Sequence, residues 1–301
     1  MGKEIIIKGG GPAGLSCALY FLNRGYKCKI IEKPDYPERM KNRGFQVLEN
    51  YTKKEDSLNL LKELQVEDFF CYPLNKAVFW DFKYNFYNFF SKENFGYLIK
   101  RGAQEGSIDR AMLNRAKELG LDFVKKEETF QICATGSSQP DGIAQERHFE
   151  TDDKLRIWIL MNPERINGGY AYIFTYGGKG TFGCAITYKF KEIKEISQKC
   201  WDFFQEIENI RVENLKVYHS YVNFYIPESY EEDGILYAGE VAGMQDFFLG
   251  LGIRIAMEAG ILAARCIIEG FSYTKEIKNK FTDKFKSSFV LRVLYEKTPE
   301  F

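Results

Sequence analysis

The sequence predicts an α/β fold in which a largely antiparallel β-sheet is inserted into a parallel one. Two glycine-rich segments support this prediction, at residues 9–14 and 239–252, since an apolar run precedes each and a helical pattern follows each. Between them the chain shows alternating strand patterns separated by short turns. We therefore expect the parallel sheet to be assembled from both ends of the chain.

The first glycine segment has the spacing G-x-G-x-x-G and lies between two predicted strands. Ile5-Ile6-Ile7 predicts the first strand, the pattern from Leu15 to Leu22 predicts a helix, and Lys29-Ile30-Ile31 predicts the second strand. A unit of this kind binds the pyrophosphate of a dinucleotide at the N-terminus of its helix. The candidate phosphate-binding residues are Gly9, Gly11, Pro12, Ala13 and Gly14.

Each glycine of this segment has its own predicted role. Gly9 allows the sharp turn after the strand, Gly11 leaves room for the pyrophosphate, and Gly14 lets the helix lie close to the strand. Glu32 ends the second strand, where a carboxylate accepts hydrogen bonds from the ribose hydroxyls of adenosine. We expect Glu32 and the adjacent Lys33 to hold the adenosine end of the cofactor.

The second glycine segment follows another predicted buried strand, Ile235 to Ala238. Glu240 comes soon after this strand, and a helix is predicted from about residue 252 to 268. Gly250 and Gly252, with Leu251 between them, permit a flat ligand to approach the backbone closely. The N-terminus of the helix would then direct its positive end toward that ligand.

These motifs together resemble the geranylgeranyl-reductase-like branch of FAD-dependent oxidoreductases, in the superfamily that includes the aromatic hydroxylases. Residues 233–243 and 250–253 are similar to the family's Gly-Asp-Ala-Ala-Gly strand end and Gly-x-Gly-Ile helix start, with Glu240 in the place of Asp. Weaker similarities cover the hairpin at 169–183, the Ala-Thr-Gly strand ending at Gly136, and the segment that contains Arg101. The resemblance implies that Gly136 and Arg101 also lie at the cofactor.

The resemblance and the strand pattern predict a discontinuous domain organisation. A Rossmann-like FAD-binding domain would consist of residues 1–44, 98–145 and 232–272, a substrate domain of 45–97 and 146–231, and a helical tail of 273–301. Two local predictions also follow from the sequence. Ser57 to Leu64 forms a short helix with Ser57 as its N-cap, and the polar segment Gln139 to Asp153 forms loops.

The family resemblance implies an enzyme that reduces a carbon–carbon double bond in an isoprenoid or another apolar substrate. FAD would take a hydride from an external donor, for which NAD(P)H is the expected source, and pass it to the substrate. Two alternatives stay open at this point: a flavin monooxygenase that hydroxylates an aromatic substrate, and a non-catalytic FAD-binding protein. No residue stands out in the sequence as a proton donor.

Phe247 and Phe248 are the candidate residues of the substrate pocket, because they directly precede the second pair of glycines. Phenyl groups at that position would exclude water and favour a small apolar molecule. The alternative is that both rings simply pack in the core. The aromatic block from Phe79 to Tyr97 has the same two interpretations, a pocket wall or ordinary hairpin faces, and the latter is favoured.

The tail carries phenylalanines at four-residue spacing, which predicts a helix packed on the domain by one apolar face. A weak association of this helix with a membrane surface is the alternative, since lysines alternate with the rings. The phenylalanines concerned are Phe281, Phe285 and Phe289.

Composition excludes several classes of protein. The 301 residues contain 42 Lys+Arg and 42 Asp+Glu, so there is no basic excess for nucleic-acid binding. Two histidines and seven cysteines without a CxxC pair argue against a zinc site and favour reduced thiols in the cytoplasm. The longest apolar helical segment, Ile253 to Ile268, contains three charged residues and does not predict a membrane span. The oligomeric state is not predicted.

Overall fold

Strands from both ends of the chain meet in a six-stranded sheet of the computed structural model, which describes residues 4–32, 43–50, 55–127, 129–136 and 140–297. In spatial order the strands are β15 (Glu231–Glu232), β16 (Ile235–Tyr237), β9 (Ile132–Cys133), β1 (Ile5–Lys8), β2 (Cys28–Ile31) and β8 (Asp122–Val124). The pairs are parallel except for β15 with β16. The α/β class predicted from the sequence is confirmed.

Helices cover this sheet, and two of them cross unusually closely. The helices of the chain are α1 (Pro12–Leu22), α2 (Ser57–Glu63), α3 (Ile108–Glu118), α4 (Ile193–Ile207), α5 (Ile253–Glu269) and α6 (Tyr273–Lys297). α1 packs against both α3 and α5. A Cβ atom on Gly260 of α5 would lie only 2.1 Å from the carbonyl oxygen of Ala13 in α1. The absence of a side chain at Gly260 therefore sets the distance between α1 and α5.

A second sheet has seven strands and is mainly antiparallel. Its spatial order is β14 (Glu213–Val222), β10 (Gly142–Glu150), β13 (Lys179–Ile186), β12 (Tyr170–Tyr176), β11 (Arg156–Met161), β5 (Lys76–Trp80) and β6 (Phe86–Phe90). Only β11 and β5 run parallel among these pairs. α4 covers one face, where Phe204 is buried in the same cluster as Ile173 and Phe182. The opposite face is free of α4.

A small third sheet lies between the two larger ones. It consists of β3 (Phe45–Glu49), β7 (Gly96–Lys100) and β4 (Cys71–Leu74), with β7 in the centre. Leu98 of β7 packs in a cluster with Phe174 of the seven-stranded sheet, whereas Ile99 packs in the core around α1. Because successive strand residues point to opposite faces, β7 connects the two cores.

The prediction of loops from Gln139 to Asp153 is wrong, because β10 occupies residues 142–150. Three polar residues of this strand, Gln145, Glu146 and Arg147, are buried against partners from elsewhere in the chain. Arg147 donates to Gln198 of α4 at 2.8 Å, and Gln145 contacts His219 at 3.1 Å. Hydrogen bonds of this kind allow a strand of polar composition to lie inside the protein.

The N-cap of α2 also differs from the prediction. Asp56, rather than Ser57, caps the helix, and its carboxylate accepts the backbone N–H of Leu58 at 2.8 Å. Ser57 is the first residue of the helix. Both residue types are good caps, so the sequence alone did not discriminate between them.

The aromatic block from Phe79 to Tyr97 forms the whole of β6 and parts of β5 and β7, and its centre is exposed. All five residues of the edge strand β6 are exposed, and Phe90 retains 65% of its accessible surface. In the tail helix α6, Phe281 and Phe285 are buried, whereas Phe289 is 51% exposed. No helix among the described residues is both long enough and apolar enough to cross a membrane.

Candidate cofactor-binding site

Three neighbouring strands bring the predicted cofactor residues to one edge of the six-stranded sheet. β9 lies between β1 and β16 and runs parallel to both. The carboxyl ends of parallel strands meet at the same edge, which is where ligands bind to open α/β sheets. The segments that follow the three strands are Gly9–Gly14, Ala134–Gly136 and Gly239–Glu240.

Gly9 and Gly14 are required by contacts inside the protein. Gly9 has a φ of +107°, and a Cβ there would lie 2.4 Å from the carbonyl oxygen of Ala134. A Cβ on Gly14 would lie 1.9 Å from the carbonyl oxygen of Gly9. Both distances are far below van der Waals contact, so only glycine fits at either position.

Gly11 differs from its two neighbours in the motif. It has a φ of −75°, which any residue can adopt, and a Cβ there would meet no atom of the described residues within 4 Å. It is the N-cap of α1, and no side chain among the described residues caps this helix. Pro12 follows as the first helical residue, where its missing N–H costs nothing. Neither packing nor backbone strain in the described chain accounts for glycine at this position.

Glu32 lies directly beside the glycine segment. Its Oε2 accepts the backbone N–H of Gly10 at 3.3 Å, across the adjacent ends of β1 and β2. The structure thus places a partly buried carboxylate at the same edge as Gly11. Lys33, which we also expected at the adenosine end, lies outside the described residues.

Glu240 approaches the loop after β9. It begins a short 3₁₀ turn, Glu240–Ala242, and a Cβ on Gly136 would lie 3.5 Å from its Oε2. The turn is held by a hydrogen bond of 3.1 Å from the N–H of Val241 to the carbonyl of Thr135. Glu240 and Gly136, which were predicted from separate motifs, are therefore neighbours in space.

The second pair of glycines forms the entry to α5. Gly250 has a φ of +66°, and a Cβ on it would lie 3.5 Å from Val222, at the end of β14. Leu251 follows and accepts a hydrogen bond of 2.7 Å from the N–H of Asp246. Gly252 is the N-cap of α5, and a Cβ there would lie 2.8 Å from Cγ of Gln245. These residues bring the start of α5 against the seven-stranded sheet.

The N-terminus of α5 already has a carboxyl partner within the chain. Glu49, at the end of β3, accepts the backbone N–H of Arg254 at 3.0 Å. The Arg254 guanidinium in turn donates to Glu258 at 2.7 Å. A buried carboxyl group of the chain therefore already contacts the positive end of this helix. The sequence did not predict this contact.

Arg101 is engaged in a buried ion pair. Its guanidinium donates to both oxygens of Asp109 at 2.7 and 3.0 Å, and to the Gln46 side chain at 2.9 Å. Burial is the largest single influence on Asp109 and opposes its ionisation, but the Arg101 charge together with hydrogen bonds from Arg101 and from the backbone N–H of Gly102 holds the pKa of Asp109 below its usual value. The contact of Arg101 with the cofactor stays a prediction.

Phe247 and Phe248 both pack against the tail helix. Phe247 is 8% exposed, and its ring lies 6.2 Å from that of Phe285 and 5.8 Å from that of Phe224. Phe248 is partly exposed, with its ring 5.6 Å from that of Tyr295. The packing alternative therefore accounts for the position of Phe247. A substrate-binding role stays a prediction for both residues.

The face of the seven-stranded sheet opposite α4 carries polar groups that the sequence analysis missed. The Tyr170 hydroxyl donates to the carbonyl of Leu249, just before Gly250. The neighbouring Tyr172 donates to the buried Glu146 at 3.2 Å. Burial, together with the Glu146 carboxylate, raises the pKa of Tyr172. Glu146 was missed because it lies in the segment predicted as a loop.

Comparison with known proteins supports the fold at low sequence identity. No protein-family model matches the sequence, and no curated protein sequence matches it. Among solved structures, a geranylgeranyl bacteriochlorophyll reductase-like protein from Thermoplasma acidophilum superposes with a TM-score of 0.74 at 16% identity, covering 98% of this chain and 87% of that one. It represents the branch that the sequence motifs resemble.

Two further solved structures are FAD-dependent enzymes of other activities. The myxobacterial chondrochloren halogenase CndH, a variant of FAD-dependent halogenases, has a TM-score of 0.71 at 14% identity, covering 99% of this chain and 83% of that one. PqsL from Pseudomonas aeruginosa, described as a probable FAD-dependent monooxygenase, has a TM-score of 0.67 at 11% identity, covering 98% of this chain and 97% of that one. The fold that the resemblance of the motifs implies is confirmed by these superpositions.

Proposed function

We propose that this chain, which shares its fold with FAD-dependent oxidoreductases, binds FAD at the edge where β1, β9 and β16 end. One observation carries the proposal: at Gly11, unlike Gly9 and Gly14, a Cβ would enter space that no described residue fills. A glycine that the chain does not need for its own packing fits a position where a ligand approaches the backbone. The uncapped N-terminus of α1 beside it suits the two negative charges of a pyrophosphate.

The other candidate residues fit the remaining parts of FAD. Glu32 would accept hydrogen bonds from the adenosine ribose, and Glu240 from the ribityl chain. Gly250 to Gly252 would lie against the isoalloxazine ring. Gly136 would allow the ribityl chain to pass beside Glu240. Arg101, which directly follows β7, would support the phosphate or adenosine end of the cofactor.

We also propose the discontinuous domain organisation expected from the sequence, with three boundaries moved off the strands that they would cut. The boundary after residue 97 falls within β7 and that after residue 231 falls within β15, so we place them near residues 101 and 230. The sheet built from β1, β2, β8, β9 and β16 supports an FAD-binding domain interrupted by an inserted substrate domain. The expected boundary between 145 and 146 falls within β10, which is continuous from 142 to 150. A boundary near residue 141 keeps this strand in the substrate domain with the other six strands of its sheet.

The reaction that we propose is reduction of a carbon–carbon double bond in an isoprenoid or similarly apolar compound. Bound FAD would supply hydride transfer, with NAD(P)H as the external donor. The chain would supply an apolar pocket that excludes water, between the Gly250 turn and the sheet face that bears Tyr170. The small residue Ala185 pairs with Tyr170 on that face, and Ala144 pairs with Ala185 on the next strand.

Hydroxylation of an aromatic substrate is the second candidate function. It is favoured by the similarity to PqsL, for which another solved structure contains 2-aminobenzoylacetate. Reduction and hydroxylation would use the same cofactor residues and differ in whether oxygen reaches the reduced flavin. A non-catalytic FAD-binding protein is the remaining alternative.

The decisive experiment has two stages. The visible spectrum of the purified protein, followed by identification of the released cofactor, tests whether FAD is bound; a protein that neither retains nor takes up FAD contradicts the proposal. The bound flavin is then reduced without oxygen by NADH or NADPH and mixed with prenyl alkenes. Reoxidation with formation of the saturated product supports a reductase. Oxygen consumption that depends on an aromatic compound supports a monooxygenase, and no turnover with either class supports the non-catalytic alternative.

A further inference from the structure

Residues on the α4-free face of the seven-stranded sheet form successive rows across four strands. The strand register defines these rows, and neighbouring rows along a strand are about 7 Å apart. The first row is Tyr170, Ala185, Ala144 and Ser220; the second is Tyr172, Gly183, Glu146 and Tyr218; the third is Phe174, Thr181, His148 and Lys216. The first row adjoins the Gly250 turn through the hydrogen bond of Tyr170 to Leu249.

Three titratable groups of these rows are in contact. Tyr172 Oη donates to Glu146 Oε1 at 3.2 Å, and His148 Nε2 lies 3.5 Å from Glu146 Oε2. Among the described residues no hydrogen bond is made to this His148 nitrogen, which is buried. Glu146 thus links a hydroxyl on one side to an imidazole on the other.

Two glycines are needed to form this arrangement. A Cβ on Gly183 would lie 2.3 Å from Cζ of Tyr172, so glycine allows the tyrosine ring to lie across the neighbouring strand toward Glu146. A Cβ on Gly44 would lie 2.9 Å from Nε2 of His148. Gln46, two residues later, donates to Glu146 Oε1 at 3.4 Å and fixes the carboxylate from the side of β3.

The His148 end of this chain of groups reaches water. His148 lines a cavity of about 160 Å³, together with Thr181, Tyr218 and several charged residues. Two of these residues, Lys179 and Lys216, are exposed at the surface. The other end is the partly exposed Tyr172, whose ring centre is 6.2 Å from that of Tyr170. The groups therefore connect a solvent-facing cavity with the region that we propose for the substrate.

We propose that Tyr172 is the proton donor of the reaction and that Glu146 and His148 return a proton to it from the cavity. This inference rests on the proposed reductase function. One alkene carbon receives a hydride, and the other forms a C–H bond with the proton of Tyr172 as its O–H bond breaks. The tyrosinate then takes a proton through Glu146 from His148, and water in the cavity restores His148. The raised pKa of Tyr172 keeps its hydroxyl protonated before the reaction.

The proton path can be tested without turnover. NMR of the purified protein measures how fast the Tyr172 hydroxyl proton exchanges with water, and the Tyr172→Phe spectrum assigns the signal. Transfer through a positioned group is worth about 100-fold or more in rate. We therefore expect exchange of the Tyr172 hydroxyl proton to slow by about 100-fold in both Glu146→Gln and His148→Gln. Exchange at the Tyr170 hydroxyl should not change. Equal exchange in the parent and in both folded variants would overturn the path.

Delivery of the proton is tested by reducing an accepted prenyl alkene in D2O. The parent should place one deuterium on a single face of the product carbon. In Tyr172→Phe, product formation should slow by about 100-fold, and the residual product should carry deuterium on both faces, while NAD(P)H reduces the flavin at the parent rate. Tyr188→Phe, which removes a hydroxyl outside these rows that donates to the carbonyl of Pro163, is the matched control and should keep the stereochemistry of the parent.

The outcomes separate this inference from the function on which it rests. If Tyr172→Phe reduces alkenes at the parent rate and on a single face, the donor assignment fails while the reductase stands. If exchange depends on Glu146 and yet no alkene is reduced, the path stands and the proposed reaction fails.

Discussion

The backbone N–H of Arg254, in the first turn of α5, donates a hydrogen bond of 3.0 Å to the carboxylate of Glu49. Glu49 is only 1% exposed, and burial raises its pKa to about 7 although hydrogen bonds from the backbone and the Arg254 charge oppose this shift. A helix N-terminus stabilises the charged form of a carboxyl group, but here burial is the larger effect. The fold thus places a carboxyl group with a pKa near neutral at the first turn of α5, directly after the second glycine segment.

We predict that Glu49→Gln removes a pH-dependent loss of stability. The folded pKa of about 7 exceeds the ordinary value of 4.5, so the folded state binds this proton more tightly, and stability falls as pH rises from about 4.5 to 7. The effect is on the order of 3 kcal/mol at most. In urea unfolding, the variant should gain stability relative to the parent between pH 5 and pH 8. Glu67→Gln, at an exposed position, is the control. If Glu49→Gln differs in stability from the parent by the same amount at pH 5 and at pH 8, the raised pKa assigned to Glu49 is contradicted.

Gly11→Val should abolish FAD binding without unfolding the protein. The new side chain enters space that no described residue occupies, so loss of stability should be about 1 kcal/mol, as for a poorer N-cap. Gly14→Val is the contrasting variant, because its Cβ would lie 1.9 Å from the carbonyl oxygen of Gly9, and we expect it not to fold. Flavin content and circular dichroism measure the two effects. Full flavin content in Gly11→Val would remove this loop from the cofactor site.

Glu32→Ala should weaken FAD binding by about 10-fold to 100-fold, as expected for the loss of hydrogen bonds to a charged group. FMN lacks the adenosine portion, so its binding should not change. Fluorescence titration of the flavin-free protein with each cofactor provides the measurement. Glu4→Ala, which removes an ion pair with Lys29 near the start of the same two strands, is the matched control. Equal FAD affinity in the parent and Glu32→Ala would show that the carboxylate does not contact the cofactor.

Phe247→Ala and Phe248→Ala should have different effects. Phe247 is buried among rings of α6, so its removal should cost about 3 kcal/mol of stability. Phe248 is partly exposed, and its truncation should leave the fold intact while slowing reoxidation of the reduced flavin by an apolar substrate. Urea unfolding and stopped-flow reoxidation distinguish the two. Parent-like reoxidation in both variants would place the pocket elsewhere.

The parts of the fold that were predictable depend on local sequence. The turn at Gly9 to Gly14 and the helix after it are specified by residues within one short segment, so spacing alone identified them. Glu146 could not be identified in this way, because its contact with Gln46 spans 100 residues and its strand has no apolar alternation. The contact of Glu49 with Arg254 spans 205 residues, so no local pattern indicates it.

The packing of α5 on α1 has a consequence for how the chain folds as it is synthesised. α1 leaves the ribosome before α5 and carries Cys17, Leu19 and Phe21, which are all fully buried in the folded protein. α5, which packs on α1, follows more than 200 residues later, about 10–50 s at the usual rate of synthesis. During that interval the apolar surface of α1 lacks α5 as a partner, so we expect chaperones to bind the nascent chain until α5 has been synthesised.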